Sequence, residues 1–282
     1  MSNLVEIKEL GKCYGKKKVM NNLSLSLESG RIVGILGPNG SGKSTLIKMM
    51  AGVLKPTSGQ IIINGYPVGV NTKKIVSYLP ERTYLNPSMK VKEAVDYFAD
   101  FYEDFSKQKA LDMLEKFGIN EQDKIKSLSK GTREKVQIVL VMSREAKLYL
   151  LDEPMGGVDP AARDYILRTI ISNYNEDATV VITTHLISDI ENVLDEVVFI
   201  KQGGVRMLLT AGRLIKYDLK ELFKKHIALY IVTLLAAFGC WALHMLSEYV
   251  PDNGITPVAY PVMIAVYVIV CVVLFIVSIV FV

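Results

Sequence analysis

The sequence predicts an α/β fold built around a mostly parallel sheet. Short apolar segments typical of buried strands alternate with segments of helical periodicity, which is the pattern of strand–helix–strand units. A glycine-rich loop, residues 37–45, lies between one such strand and the helix that follows it. A further buried strand, Lys147–Leu151, ends in two adjacent carboxylates, Asp152 and Glu153. These observations together indicate a phosphate-binding α/β domain.

The individual elements follow from apolar periodicity and from the glycines that interrupt it. The predicted strands are Leu4–Leu10, Met20–Leu27, Arg31–Leu36, Gln60–Asn64, Lys147–Leu151, Thr179–Thr183 and Glu196–Lys201. The predicted helical segments are Ser44–Val53, Val91–Gly118, Leu128–Met142, Ala161–Tyr174 and Ile187–Leu194. Glu196–Lys201 is expected to be the last strand. The helix-rich stretch from about Pro80 to Glu145 interrupts the alternation and predicts a helical subdomain.

The composition excludes several classes of protein. Of 282 residues, 50% are hydrophobic and 22% charged, so the length and averages suit a sizeable globular core. The content of 20 Gly, 10 Pro and 3 Cys excludes collagen-like, disordered and disulfide-scaffold proteins. Cys13, Cys240 and Cys271 lack metal-ligand spacing. A net charge of +4 does not favour nucleic acid as a partner, and Met1–Glu28 contains no secretory signal peptide.

Charge and hydropathy are distributed unevenly along the chain. All 33 Lys and Arg residues precede His226. The uncharged segments Ile227–Leu243 and Val258–Val282 contain 17 and 25 residues, and each is long enough to span lipid. They predict a transmembrane hairpin over residues 226–282. By the positive-inside rule, the first span leaves the cytoplasm and the second returns to it.

A basic segment, residues 204–225, precedes this hairpin. Within it, Ile215, Leu219, Leu222 and Phe223 have the spacing of an amphipathic helix. Because the segment leads into the apolar spans, we expect a juxtamembrane helix at the surface of the lipid bilayer. A solvated helix packed on the preceding domain is the alternative.

The glycine-rich loop fits the phosphate-binding P-loop pattern G-x4-G-K-[ST]. Its residues are Gly37, Pro38, Asn39, Gly40, Ser41, Gly42, Lys43, Ser44 and Thr45. Glycines permit a tight turn whose backbone N–H groups point at phosphate oxygens, and the following helix adds its positive N-terminal end. Lys43 supplies a charge for the β- and γ-phosphates, and Ser44 supplies a hydroxyl ligand for Mg²⁺. Asp152 is suited to Mg²⁺, and Glu153 is suited to polarise the attacking water.

The order of these motifs resembles the nucleotide-binding domain of ATP-binding cassette (ABC) transporters, from Leu4 to about Gln202. Residues 128–132, Leu-Ser-Lys-Gly-Thr, are similar to the family's Leu-Ser-Gly-Gly-Gln signature, and residues 156–159 resemble its D-loop. His185 follows a strand as the family's switch histidine does, and Tyr14 has the position of the aromatic residue that stacks on adenine.

Two features depart from the family pattern. Glu81 occupies the place of the Q-loop glutamine, where a further negative charge near phosphates is unfavourable without the metal. Lys130 and Thr132 replace a glycine and the glutamine of the signature, whereas Ser129 and Gly131, the groups expected to touch phosphate, remain.

The resemblance implies a P-loop, RecA-like ABC ATPase domain over residues 1–203, with an antiparallel β part and a helical subdomain. An amphipathic helix and two transmembrane helices follow it. The implied ligands are ATP and Mg²⁺. The implied nucleotide-binding residues are Tyr14, the P-loop residues, Ser129, Gly131 and Asp159. The implied metal ligands are Ser44, Asp152 and Glu81, and the implied catalytic residues are Glu153 and His185.

The resemblance also implies partners and a location. Two such domains sandwich two ATP molecules between one P-loop and the opposing signature, and they work with transmembrane permease subunits. The ATPase domain is expected on the cytoplasmic side of the cell membrane, with no nucleic acid partner.

The leading expectation is the ATPase subunit of an exporter, fused to the start of an ABC-2-type permease. One alternative is a soluble regulatory cassette ATPase, against which the single cassette and the apolar tail argue. The other is a membrane-anchored fusion fragment that binds ATP without transporting. ATPase activity measured with and without candidate permeases separates that alternative from the exporter subunit.

Overall fold

The computed structural model describes residues 3–156, 158, 160–175, 177–184 and 190–210, of which 160–162 and 206–210 are described by their backbone only. Asp159, His185, the predicted amphipathic helix Gly212–Lys225 and the predicted hairpin 226–282 lie outside the described residues. None of the helices in the described part has both the length and the hydropathy that a membrane crossing requires.

The strands and helices follow the alternation that the sequence predicts. The strands are β1 (Asn3–Tyr14), β2 (Lys17–Glu28), β3 (Ile32–Leu36), β4 (Ser58–Ile63), β5 (Tyr66–Pro67), β6 (Val76–Leu79), β7 (Leu148–Asp152), β8 (Thr179–Thr184), β9 (Glu196–Lys201) and β10 (Gly204–Thr210). The helices are α1 (Lys43–Met50), α2 (Val70–Ile75), α3 (Val91–Phe101), α4 (Lys107–Lys116), α5 (Lys130–Met142) and α6 (Pro160–Asn173).

These strands form two sheets. The smaller sheet is antiparallel, in the order β2-β1-β4-β5. The larger sheet has the order β10-β9-β3-β8-β7-β6, and its strands are parallel except for β10. Every residue of β3, β7 and β8 is buried, as expected of parallel strands covered on both faces. The described fold confirms the predicted α/β class with an antiparallel β part.

The last strand was predicted wrongly. β10 follows β9 and pairs with it antiparallel, from Gly204 opposite Lys201 to Thr210 opposite Glu196. Gln202 and Gly203 join the two strands, both with positive φ (53° and 74°), as in the tight turns that match the twist of a hairpin. Residues 204–210 therefore belong to the sheet and do not begin the basic helical segment that was predicted over 204–225.

Several helical predictions need correction. The segment Val91–Gly118 divides into α3 and α4, and the Ser106 hydroxyl caps α4 by accepting a hydrogen bond from the Lys109 N–H at 3.3 Å. The sequence did not predict α2 and β6, which together span only residues 70–79. Of the predicted helix Ile187–Leu194, the described part contains a 3₁₀ turn, Glu191–Val193.

Helix α1 fixes the position of the glycine-rich loop, because the loop leads directly into it. Leu46, Ile47, Met49 and Met50 of this helix are fully buried in a core to which both sheets contribute. Burying each such side chain contributes about 1.5–3 kcal/mol. The burial of these side chains therefore anchors α1, and with it the end of the glycine-rich loop.

Arg144 connects the sheet to the helices between residues 80 and 145. Its buried guanidinium donates to both carboxylate oxygens of Asp104 at 3.0 Å, and to the carbonyls of Val76 at 2.7 Å and Lys74 at 2.8 Å. It also lies 3.8 Å from the centroid of the Tyr102 ring. Asp104 and Tyr102 lie between α3 and α4, whereas Val76 begins β6, so one side chain holds the two parts together.

Arg144→Met should therefore destabilise the fold. The substitution removes the donor to the Asp104 carboxylate, to the buried Val76 carbonyl and to the partly buried Lys74 carbonyl, at a cost of about 3 kcal/mol. For a domain of this size we expect the midpoint of thermal unfolding to fall by about 6–12 °C. The measurement is thermal denaturation followed by circular dichroism.

Arg168→Met is the matched control. Arg168 donates to Asp164 at 2.8 Å on the exposed face of α6, where an ion pair is worth less than about 1 kcal/mol. If Arg144→Met and Arg168→Met lowered the midpoint equally, the proposed connection through Arg144 would be wrong.

Candidate active site

The glycine-rich loop connects β3 to α1 through residues whose backbone requires glycine. Gly37 and Gly42 have φ values of 152° and 109°, and Gly42 is the N-cap of α1. A Cβ atom on Gly37 would collide with the Ile200 carbonyl, and one on Gly42 would lie 2.8 Å from the Met20 sulfur. Glycine at both positions lets the loop turn tightly against β9 at Gly37 and against β2 at Gly42.

Two polar side chains of this loop are buried. Lys43 is 6% exposed, and its ammonium group donates to the carbonyls of Gly37 at 2.8 Å and Pro38 at 3.4 Å. Ser41 is 4% exposed, and its hydroxyl oxygen has no hydrogen-bond partner among the described residues. The loop thus holds a cation at its centre and a buried hydroxyl group beside it, both suited to phosphate oxygens.

Asp152 is fully buried at the end of β7, and two hydroxyl groups hold one of its oxygens. Ser44 donates to Oδ1 at 2.9 Å, and Thr183 donates to the same oxygen at 2.7 Å. Oδ2 is buried and makes no hydrogen bond within the described part of the chain. Burial raises the pKa of Asp152, the two hydroxyl hydrogen bonds oppose that shift, and the charge of Glu81 reinforces it.

Thr183 contacts Asp152 in the candidate site, and the sequence analysis missed this contact. It was predicted only as part of a strand, yet the parallel register places Thr183 of β8 directly opposite Asp152 of β7. Its polar side chain at the carboxyl end of an otherwise apolar strand was the available signal. Without the register, no pattern in the sequence connects the two residues.

Glu153 follows β7 in a strained conformation. Its φ of 51° is in the left-handed region, which costs a non-glycine residue of order 1–3 kcal/mol. The backbone N–H of Glu153 donates to the carbonyl oxygen of Thr183 at 3.1 Å and to its hydroxyl oxygen at 3.0 Å. These hydrogen bonds stabilise the bend at which the chain turns away from β7. The side chain of Glu153 is half-buried and lines the cleft.

Glu81 lies beyond the neighbouring strand. β6 pairs with β7 in parallel, with Leu79 opposite Leu151, so Glu81 and Glu153 each come two residues after a matched pair. The Tyr78 hydroxyl is buried without a hydrogen-bond partner among the described residues, and burial raises the pKa of Tyr78, with Asp152 and Glu81 contributing. The carboxyl edge of the sheet therefore concentrates negative charge.

One cleft of about 1140 Å³ brings most of the predicted residues together. Its lining includes Tyr14, Asn39, Gly40, Gly42, Lys43, Ser44, Thr45, Glu81 and Glu153. Tyr14 is 48% exposed at the end of β1, with the Lys12 ammonium group 5.3 Å from its ring centroid. Arg82, Thr83 and Gln137 also line the cleft and were not predicted. Gly37, Pro38, Ser41 and Asp152 do not line it.

The predicted signature residues lie at the start of α5. Ser129 is the N-cap, exposed to solvent, and its hydroxyl accepts a hydrogen bond from the Thr132 N–H at 3.1 Å. A Cβ atom on Gly131 would lie 3.6 Å from Val158. Lys130 and Arg133 of this helix line the cleft, whereas Ser129 and Gly131 do not. Asp159 and His185, which were predicted to act here, are outside the described residues.

The residues present fit a magnesium–nucleotide complex. One buried carboxylate oxygen of Asp152 has no hydrogen-bond partner among the residues that the structure describes, and Ser44 supplies a hydroxyl oxygen beside the carboxylate. Magnesium prefers such hard oxygen ligands and is usually held by one or two carboxylates together with substrate phosphates. No group of three or more His, Cys, Asp or Glu residues in the described chain is close enough to hold a metal by itself.

Comparison with known proteins shows the family to which the chain belongs. The sequence model of the ABC transporter family matches residues 20–156, which include the glycine-rich loop and both carboxylates. The linearmycin resistance ATP-binding protein LnrL of Bacillus subtilis (strain 168) is 32% identical over 208 residues, 71% of this chain and 67% of that protein. The SkfA peptide export ATP-binding protein SkfE of the same strain is 30% identical over 206 residues, 71% of this chain and 86% of its own.

A solved structure described as the ATP-binding subunit of an ABC transporter superposes with a TM-score of 0.70 at 28% identity. The match covers 78% of this chain and 98% of that one. The P-loop, the two carboxylates and these relatives lead to one conclusion. The chain belongs to the ABC transporter family and is the ATPase subunit of such a transporter.

Proposed function

We propose that this ATPase binds Mg²⁺ and ATP in the cleft, hydrolyses ATP with Glu153 as general base, and thereby drives export through a permease. The observation that carries the proposal is the fully buried Asp152, one of whose oxygens is held by Ser44 and Thr183 while the other has no partner in the described structure. A buried carboxylate oxygen of this kind costs free energy unless a ligand completes it.

The phosphates would lie on the glycine-rich loop. Backbone N–H groups at the start of α1, the Ser41 hydroxyl and the Lys43 ammonium group are the donors available there. Lys43 would exchange its loop carbonyls for the β- and γ-phosphates. The exposed ring of Tyr14 supports stacking on the adenine.

Ser44, Asp152 and Glu81 would hold the metal. Mg²⁺, when bound, neutralises charge on the β- and γ-phosphates. Ser44 and Asp152 are already joined by a hydrogen bond, so two of the ligands are positioned in advance. This pairing of a P-loop hydroxyl with a strand-end carboxylate supports the assignment.

Glu153 would accept a proton from the water that attacks the γ-phosphate. Its strained backbone directs the residue out of the sheet into the cleft, away from the buried position of Asp152. The two adjacent carboxylates would thus have different roles because their surroundings differ. His185 and Asp159 remain proposed catalytic and nucleotide-binding residues on the strength of the family resemblance alone.

A second copy of the ATPase domain and permease subunits would complete the transporter. ATP-binding cassettes of this family form dimers and work with transmembrane subunits. The exposed position of Ser129 at the N-terminus of α5 supports its contact with the nucleotide of a partner domain. Export is the direction we propose, since relatives include a peptide export ATP-binding protein.

The apolar residues 226–282 would anchor the chain in the cell membrane, with the ATPase domain on the cytoplasmic side. We propose that they are the first two spans of an ABC-2-type permease fused to the ATPase. The two long uncharged segments and the basic residues before them support this proposal.

Glu153→Gln tests the proposed general base. The amide cannot accept the proton, so we expect the rate of phosphate release from ATP to fall by at least about 100-fold. Nucleotide binding should persist, and size-exclusion chromatography with ATP should show a trapped dimer. Glu115→Gln is the matched control, because Glu115 is exposed on α4 away from the cleft. Steady-state hydrolysis by Glu153→Gln at the wild-type rate would contradict the assignment.

Alkaline carbonate extraction tests the membrane anchor. We expect the full chain to stay with the membrane pellet, because two uncharged spans hold a protein in lipid whereas peripheral contacts are released at high pH. The measurement is immunoblotting of pellet and supernatant, with a known integral protein and a known peripheral protein as controls. Release of the chain into the supernatant would favour the soluble regulatory ATPase.

A further inference from the structure

Three carboxylates follow the ends of two neighbouring strands. Because Leu79 of β6 lies opposite Leu151 of β7, Glu81 and Glu153 occupy corresponding positions beyond the sheet, and Asp152 is the last residue of β7. Glu81 and Glu153 line the same cleft as the glycine-rich loop. Two of these carboxylates therefore line the cleft in which phosphates would bind.

The charge of Glu81 is not neutralised by a neighbour. Glu81 is exposed and makes no ion pair or hydrogen bond with any described residue, although Arg82 follows it in sequence. Asp152 is fully buried, and its Oδ2 lacks a hydrogen-bond partner within the described chain.

Five basic residues line the cleft, Lys17, Lys43, Arg82, Lys130 and Arg133, but no ion pair among the described residues joins any of them to Glu81. The Lys43 ammonium group donates to the carbonyls of Gly37 and Pro38, and Lys130 lies 3.8 Å from Glu134. A nucleoside triphosphate without metal would bring several more negative charges to the same edge. Like charges at separations of a few ångströms repel strongly where protein lowers the effective dielectric constant.

We propose that Glu81 makes nucleotide binding by this chain conditional on a divalent cation. Without the cation, the Glu81 carboxylate repels the triphosphate. With the cation bound, the same carboxylate faces a positive charge and favours the complex. With a neutral side chain of similar shape at this position, the affinities for free ATP and for metal-bound ATP would differ less. The inference rests on the proposed nucleotide site and assigns it a preference for the metal-bound form.

Nucleotide affinity with and without metal provides the test. The full chain, purified in mild detergent, is titrated with the non-hydrolysable ATP analogue AMP-PNP by calorimetry, once with Mg²⁺ and once with EDTA. The measured quantity is the ratio of Kd in EDTA to Kd in Mg²⁺. We expect Glu81→Gln to reduce this ratio by at least about tenfold relative to wild type, because the variant loses the repulsion and not the loop.

Two further variants separate charge from other effects. Glu81→Asp keeps the charge and should keep a large ratio, close to that of wild type. Glu103→Gln removes the same charge from an exposed residue beyond α3, outside the cleft, and should also leave the wild-type ratio. All variants are compared at one ionic strength, since salt screens exposed charges.

The possible outcomes are distinguishable. An unchanged ratio in Glu81→Gln, with nucleotide still bound in Mg²⁺, would overturn this inference and leave the proposed nucleotide site intact. The inference would also be overturned if Glu81→Asp lowered the ratio of the two Kd values as much as Glu81→Gln does. The charge of residue 81 would then not be the cause of the effect. If folded wild-type chain bound no nucleotide in either buffer, the proposed function itself would fail.

Discussion

A single buried carboxylate, Asp152, joins the parts of the structure on which nucleotide chemistry would depend. It ends β7, accepts a hydrogen bond from Ser44 at the start of α1, and accepts another from Thr183 of the adjacent strand β8. Hydrogen bonds to a charged group contribute about 1.5–3 kcal/mol each. The two bonds oppose part of the cost of burying the carboxylate, and the one from Ser44 ties the glycine-rich loop to the edge of the sheet.

Glu153, the residue after Asp152, has a different environment at the same edge of the sheet. Glu153 adopts a backbone conformation that L-residues seldom use, and hydrogen bonds to Thr183 hold it there. Thr183 therefore contacts both residues: its hydroxyl donates to the carboxylate of Asp152, and its hydroxyl and carbonyl oxygens accept from the backbone N–H of Glu153. Packing of β7 and β8 in register makes this possible, and the buried side chains of α1 and Arg144 keep the surrounding elements in place.

Local patterns in the sequence were sufficient to predict the glycine-rich loop, the paired carboxylates and the α/β class. Each of these features depends on the order of residues within one short segment or on the alternation of such segments. The Asp152–Thr183 contact could not be predicted, since it depends on how two strands pair 31 positions apart. Strand β6 was missed because it has only four residues. Strand β10 was missed because the composition after Gly204 was interpreted as the start of a basic helix, although the turn at Gln202 and Gly203 permits a hairpin.

The most direct test of the account is to locate the metal. A crystal of the chain grown with AMP-PNP and Mn²⁺ in place of Mg²⁺ would be measured at the manganese absorption edge. The account predicts one anomalous peak beside the Ser44 hydroxyl and the carboxylate of Asp152, with the phosphates on residues 37–45. Bound nucleotide with manganese elsewhere, or with none at Asp152, would contradict the claim that this carboxylate organises the site.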